Sequence, residues 1–146
     1  MKIDIMAEFP ELAKRMQKIS AAGQEKVKDA ILKSTLQIEA QAKLLAPAKT
    51  GKLRGSIQSR VFNDGLSGEV TATAAHAAFV EFNTRAHIIR PKRKKWLRFK
   101  KGGEWVFRKV VFHPGTTEQP FMRPALEQER PHLLRELNDI VGGDRS

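Results

Sequence analysis

One run of helical periodicity constrains this chain more than anything else in it. From Glu25 to Leu45, the residues Val27, Ile31, Thr35, Ile38, Ala42 and Leu45 recur at spacings of three and four. That spacing puts them on one stripe of an α-helix. Lys26, Lys28, Lys33, Gln37, Gln41 and Lys43 fall mostly elsewhere. A helix with one apolar stripe has to lay it against something, so the rest of the chain must supply a cover. Pro47 stops the helix, because the residue before a proline is pushed out of the α region. A shorter helical segment, about Glu8 to Ile19, precedes it, and Ala22-Gly23 is the expected break between the two.

Strands follow. Ser56 to Phe62 and Gly68 to Ala74 alternate their side chains, and Asn63-Asp64-Gly65 between them is a turn signal. A second hairpin is expected from Lys95–Phe99 to Trp105–Val111, with Lys101-Gly102-Gly103-Glu104 as its tip. Both tryptophans, Trp96 and Trp105, lie in it and are expected to pair across the strands. A last helix runs from about Arg123 to Val141, with Leu126, Leu133, Leu137 and Ile140 inward. Pro131 falls inside it, where a proline costs about 3 kcal/mol, so a kink or restart is expected. Gly142-Gly143 ends it, and Asp144 to Ser146 is a loose tail. Helix, hairpin, hairpin, helix defines an α+β domain: a long N-terminal and a C-terminal helix packed on an antiparallel sheet of β-hairpins, with a projecting basic loop or hairpin. The expected organisation is one domain over 1–146, with an N-terminal helical segment (1–24), a core (25–141) and a tail (142–146).

Composition narrows the function. There is no Cys, which excludes disulfides and thiolate metal or redox sites. No apolar run approaches the ~20 residues needed to span a bilayer. No secretory leader is expected, and no membrane contact. The formal net charge is +11, and it is concentrated. Arg85 to Lys101 holds nine Lys and Arg and no acid, whereas the remaining residues set 18 basic against 16 acidic. A local basic segment points to a polyanion. Arg90, Lys92, Arg93, Lys94, Lys95, Arg98, Lys100 and Lys101 are the candidate contacts to DNA or to an acidic partner surface. Such contacts would be salt-dependent and largely indifferent to sequence. Trp96 and Phe99 lie among the charges and could stack on bases, but strand packing accounts for them more simply.

A catalytic reading finds little to stand on. His76, His87, His113 and His132 are scattered, without the helical i, i+4 spacing of a zinc site. A nuclease would need carboxylates gathered around a metal. Asp64, Glu69, Glu81 and Glu104 are candidates only if the fold brings them together. Gly102-Gly103 is a hairpin tip and not a phosphate loop, and no G-x-S-x-G elbow occurs. No cofactor or metal is expected.

Three motifs occur in order. The first is Ala46-Pro47 followed by Thr50-Gly51-Lys52-Leu53-Arg54-Gly55-Ser56-Ile57. The second is Ala77-Ala78-Phe79-Val80-Glu81-Phe82-Asn83-Thr84. The third is His113-Pro114-Gly115-Thr116, then Gln119-Pro120-Phe121-Met122-Arg123-Pro124-Ala125-Leu126. Over roughly residues 25 to 140 the ordered set resembles the tailed-phage neck proteins, also called head–tail joining or tail-completion proteins. The resemblance implies a non-enzymatic virion protein, made in the host cytoplasm and placed at the head–tail junction. It implies a homo-oligomeric ring that meets other neck and tail proteins (head-closure or connector, tail terminator or tail tube) and, by non-specific contact, the packaged DNA. Family-motif or subunit-interface roles then fall to Thr50, Gly51, Leu53, Arg54, Glu81, Phe82, Thr84, His113, Pro114, Gly115, Pro120, Phe121 and Pro124.

The motif residues carry readings of their own. Thr50-Gly51 turns the chain into the first strand, Leu53 tucks inward, and Lys52 and Arg54 stay wet. Glu81 is either solvated or paired with an Arg of a neighbouring subunit. Pro114-Gly115 is a tight turn, Pro120 and Pro124 stiffen the start of the last helix, and Phe121 anchors it. The family usually has Gly where this chain has Asn83, a residue that tolerates the left-handed conformation. Two other classes stay open: a non-specific nucleic-acid-binding module using residues 85–101, and a small metal-dependent nuclease.

Overall fold

The computed structural model describes residues 1–48 and 51–143. Its elements, in order, are β1 (Lys2–Asp4), a 3-10 turn (Met6–Glu8), α1 (Pro10–Met16), α2 (Ala21–Leu45), α3 (Lys52–Gly55), β2 (Ile57–Phe62), β3 (Ser67–Ala72), α4 (Ala77–Phe82), β4 (His87–Ile89), β5 (Leu97–Lys101), β6 (Glu104–Arg108), β7 (Val111–His113) and α5 (Met122–Gly143). Helices and antiparallel strands are mixed, so the domain is α+β.

The long helix is the centre of the body. Val27, Ala30, Ile31, Ile38 and Ala42 of α2 are buried against β2, β3 and α5. The helix starts earlier than its periodicity suggested. Ser20 is the N-cap, and its hydroxyl accepts from the Gly23 amide at 3.1 Å. Ala22 and Gly23 are therefore helical and not a break, because a serine cap satisfies an amide that the helix start leaves free. The inward stripe also closes one residue later: Leu45 is exposed and Ala46 is buried.

Three strands order as β1-β3-β2, all antiparallel, with Ile57 opposite Ala72 and Phe62 opposite Ser67. Asn63, Asp64 and Gly65 turn the chain between β2 and β3, all at positive φ. The sheet approaches α2 closely at Gly68, where an added Cβ would lie 2.1 Å from the Thr35 hydroxyl. β1 is an element that periodicity did not reveal, although Ile3 and Ile5 alternate with polar residues and both are buried. The first helix is shorter than expected: Pro10 starts it, as prolines often do, and Met16 is its last residue.

Along α5, Met122, Ala125, Leu126, Leu133, Leu137 and Val141 face the core. The Ser34 hydroxyl donates to Glu129 at 2.7 Å and ties α5 to α2. Pro131 neither ends nor restarts this helix. It lies on the exposed side, where the carbonyl that loses its donor can turn to water. Gly142 and Gly143 are the last residues of the helix as described. Asp144 to Ser146, expected as a loose tail, lie outside the described residues.

Candidate functional site

Residues 85–113, here called the arm, form two short antiparallel ladders. β4 pairs with β7, and β5 pairs with β6. The two central residues of the tip, Gly102 and Gly103, sit at φ 60° and 88°. A two-residue turn with both φ values positive matches the twist of its strands, and it closes the pair Lys101↔Glu104.

That closure sets the register. Arg98 lies opposite Phe107, and Lys100 opposite Trp105. Directly opposed residues share a face, so these four make one face of the ribbon. Leu97, Phe99 and Val106 are on the other and are half-buried. The tryptophans do not pair, contrary to expectation, because Trp96 precedes β5 while Trp105 faces Lys100. Each ring instead meets cations. The Arg98 guanidinium lies 4.4 Å from the Trp105 ring centroid and the Lys100 ammonium 5.1 Å; Lys109 lies 5.1 Å from Trp96. Trp105 and Phe107 are about half exposed, at 53% and 52%. From the sequence Trp105 is expected only as a partner of Trp96, and Phe107 is not singled out. The signal for the pair is the alternation of Trp105 and Phe107 in β6, legible once the Gly-Gly tip fixes the register.

Charge on the arm is uncompensated. Residues 85–109 contain eleven Lys and Arg and one acid, Glu104, which is all but one unit of the net +11. Arg90, Lys92, Arg93, Lys94, Lys95, Arg98, Lys100 and Lys101 are exposed. Among the described residues, the ion pairs join body residues only, such as Lys2–Glu69, Lys28–Asp64 and Arg123–Glu8.

The motif residues lie at the base of the arm. Thr84 and Thr116 bridge, with Thr116 N donating to Thr84 O at 3.1 Å and their hydroxyls 2.8 Å apart. Directly above, His87 and His113 are cross-strand partners and stack at 5.1 Å. The Gly115 amide donates to His113 Nδ1 at 3.1 Å. Gly115 turns the chain at φ 87°, and an added Cβ would lie 2.2 Å from the Thr84 carbonyl. Only glycine fits there. Pro114 before it is exposed.

Glu81 departs from both expectations for it. Its side chain is neither solvated nor free for a neighbouring subunit: Glu81 is only 3% exposed. The carboxylate accepts from the amides of Phe121 (2.8 Å), Met122 (3.0 Å) and Arg123 (2.9 Å). It therefore caps the N-terminus of α5, which presents unpaired amides and a positive dipole end. The Gln119 amide donates to Val80 O at 2.8 Å beside it. The second and third motifs are thus one structural joint, with Phe121 fully buried within it. Pro120 stays exposed before α5, and Pro124 is half-buried in its first turn.

In the first motif, Leu53 is buried. Gly51, at φ 69°, leads into the one-turn α3 rather than directly into β2. Arg54 is not simply wet: its Nε donates to Ala46 O at 2.9 Å and caps the end of α2. Thr50 lies outside the described residues. Asn83 is at φ 71°, ψ 176°. That is not the left-handed helical region but one that glycine alone occupies comfortably.

Two apolar surfaces are uncovered among the described residues. One is the outer side of α2, where Leu32, Leu36 and Leu44 are exposed, at 45%, 53% and 70%. The other is a groove of about 1170 Å3 at the foot of the arm, lined by Leu53, Phe79, Val80 and Ile89 together with His76, His87 and His113. Three of the scattered histidines thus line the same groove, and two of them, His87 and His113, are in contact. The acids do not: Glu69 pairs with Lys2 and Arg60, Asp64 with Lys28, and Glu81 caps α5. Among the described residues, no group of three or more His, Asp or Glu is placed to hold a metal ion. Nor is any helix long and apolar enough to cross a membrane.

Residues 10–82 match the family described as "Bacteriophage HK97-gp10, putative tail-component", and the chain belongs to that family. No curated protein and no solved structure matches it.

Proposed function

We propose that this chain is a non-enzymatic virion protein of the phage head–tail junction, acting as one domain and closing into a homo-oligomeric ring that joins DNA-filled heads to tails. The observation that carries the reading is membership of a phage tail-component family. The two uncovered apolar surfaces support the ring. The outer leucines of α2 and the groove beside α4 are different patches. Contact between unlike patches is head-to-tail, and head-to-tail contacts close into rings when the rotation permits. Above and below the ring the partners are the head-closure or connector protein and the tail terminator or tail tube. Gly51, Leu53, Arg54, Thr84 and Gly115 shape the subunit, while Phe82 and the groove face its neighbours.

Native mass spectrometry of the purified chain, mixed with the connector and tail-terminator proteins of the same genome, tests this. The reading expects one closed stoichiometry, lost when Leu36 is changed to Glu. A chain that stays monomeric with every partner present contradicts it.

A further inference from the structure

We infer that the Arg98–Lys100–Trp105–Phe107 face of the β5–β6 ribbon is a contact for duplex DNA that engages phosphates and not bases. The inference rests on the junction reading for its setting, since a genome crosses that point, but its chemistry stands on the arm alone.

The charge is complementary to a polyanion and is left for one. The arm holds eleven of the basic residues against Glu104, and the ion pairs of the described residues leave it out. Repelling charges at this density are held together by the rings. Trp105 lies under both Arg98, at 4.4 Å, and Lys100, at 5.1 Å. An indole face attracts cations, so two long side chains are already placed before any ligand arrives. The same contacts decide the mode of binding. The Trp105 and Trp96 rings are engaged by the chain's own cations, and Phe99 is half-buried on the opposite face. These three rings are therefore poor platforms for unpaired bases, whose capture needs open aromatic faces, although Phe107 on the contact face stays half exposed. A duplex offers phosphates without asking for stacking, and a two-stranded ribbon fits a major groove about 12 Å wide. Lysines at 92, 94, 95, 100 and 101 suit this role, being point charges on flexible stems that follow a phosphate row in any register. Arg98 adds a planar fork that takes a phosphate as readily as a carboxylate, so poly-glutamate is the competitor that separates the two in the test.

The test is fluorescence anisotropy of the full chain with a labelled duplex of about 30 bp, between about 50 and 200 mM salt. The inference expects log affinity to fall with log salt at a slope of about −4 or steeper, at roughly −0.9 per phosphate. Arg98→Gln with Lys100→Gln should weaken binding about tenfold or more and flatten the slope by about 2. Trp105→Leu should weaken binding several-fold with little change in slope, because it removes the scaffold and keeps the charge. Circular dichroism confirms that both variants fold. Three results would overturn the inference: no duplex binding at low salt, unchanged binding by the double variant, or tighter binding to oligo-dT or poly-glutamate than to duplex. No heads or tails are in the assay, so such a failure leaves the junction role standing; particle micrographs decide that role separately.

Discussion

Replacing Glu81 with Ala is the sharpest test of how this fold is held. The carboxylate takes three amides, from Phe121, Met122 and Arg123, at 2.8 to 3.0 Å. A hydrogen bond to a charged group contributes about 1.5–3 kcal/mol, so three could reach roughly 5–9 kcal/mol if they were additive. They are not additive, since water entering the space left by truncation recovers part. We expect a loss of about 3–5 kcal/mol, well above the ~0.5–2 kcal/mol of an ordinary exposed cap. Against a total stability of about 5–15 kcal/mol that is a large fraction. In a chain of this size it lowers Tm by about 2–4 °C per kcal/mol. Glu81→Gln keeps one acceptor oxygen and loses the charge at the helix end, so it should fall about halfway. Urea titration gives the free energies. Hydrogen exchange locates them, because the amides of residues 121–123 should lose protection before the rest of α5. If both variants stay within about 0.5 kcal/mol of the parent, the capping argument is wrong.

Two further outcomes follow from single residues. Asn83→Gly relieves a backbone conformation that strains non-glycine residues by about 1–3 kcal/mol, against which the freer unfolded chain takes back about 0.5–1 kcal/mol. The urea midpoint should rise, and a fall would show that the Asn side chain contributes something the backbone strain omits. Glu69 is held below the usual carboxylate range by the hydrogen bond from Lys2 and then that from Arg60, over the opposing effect of burial. Its stabilisation is complete above its unfolded value of about 4.3 and is lost as pH falls through the lower folded value. The urea midpoint of Glu69→Gln should therefore decline less steeply than the parent's below about pH 4. Some decline should remain, because burial raises the Glu39 carboxyl while hydrogen bonds from Lys43 and Ser59 outweigh it and hold it low. Parallel curves would contradict the assignment.

What could be read from the residues divides along physical lines. The stripe of α2 was legible because a 3.6 period sustained over twenty residues fits a helix and little else. The β5–β6 turn was legible because Gly102-Gly103 is a local signal. Elements of three or four residues, such as β1 and α3, carry too few side chains to show a period. The role of Glu81 was out of reach for a different reason: its amides lie about forty residues away, and only tertiary contact brings them together. The same holds for the His87–His113 stack and for Arg54 on the carbonyl of Ala46. At Pro131 the helix does not restart, because the rule concerns a helix in isolation. On an exposed face, in a helix anchored by Leu126 before it and Leu133 after it, the lost hydrogen bond is absorbed. The basic segment was visible as a charge run. Which of its faces carries aromatic-braced cations depends on register, and register follows only when the turn is placed.

The central claim is a place in the virion, and electron microscopy of lysates from a phage or prophage lacking this gene tests it most directly. The expected result is DNA-filled heads lying beside separate, finished tails, with joining restored when the gene is supplied in trans. Intact, tailed particles in the absence of the protein would contradict it.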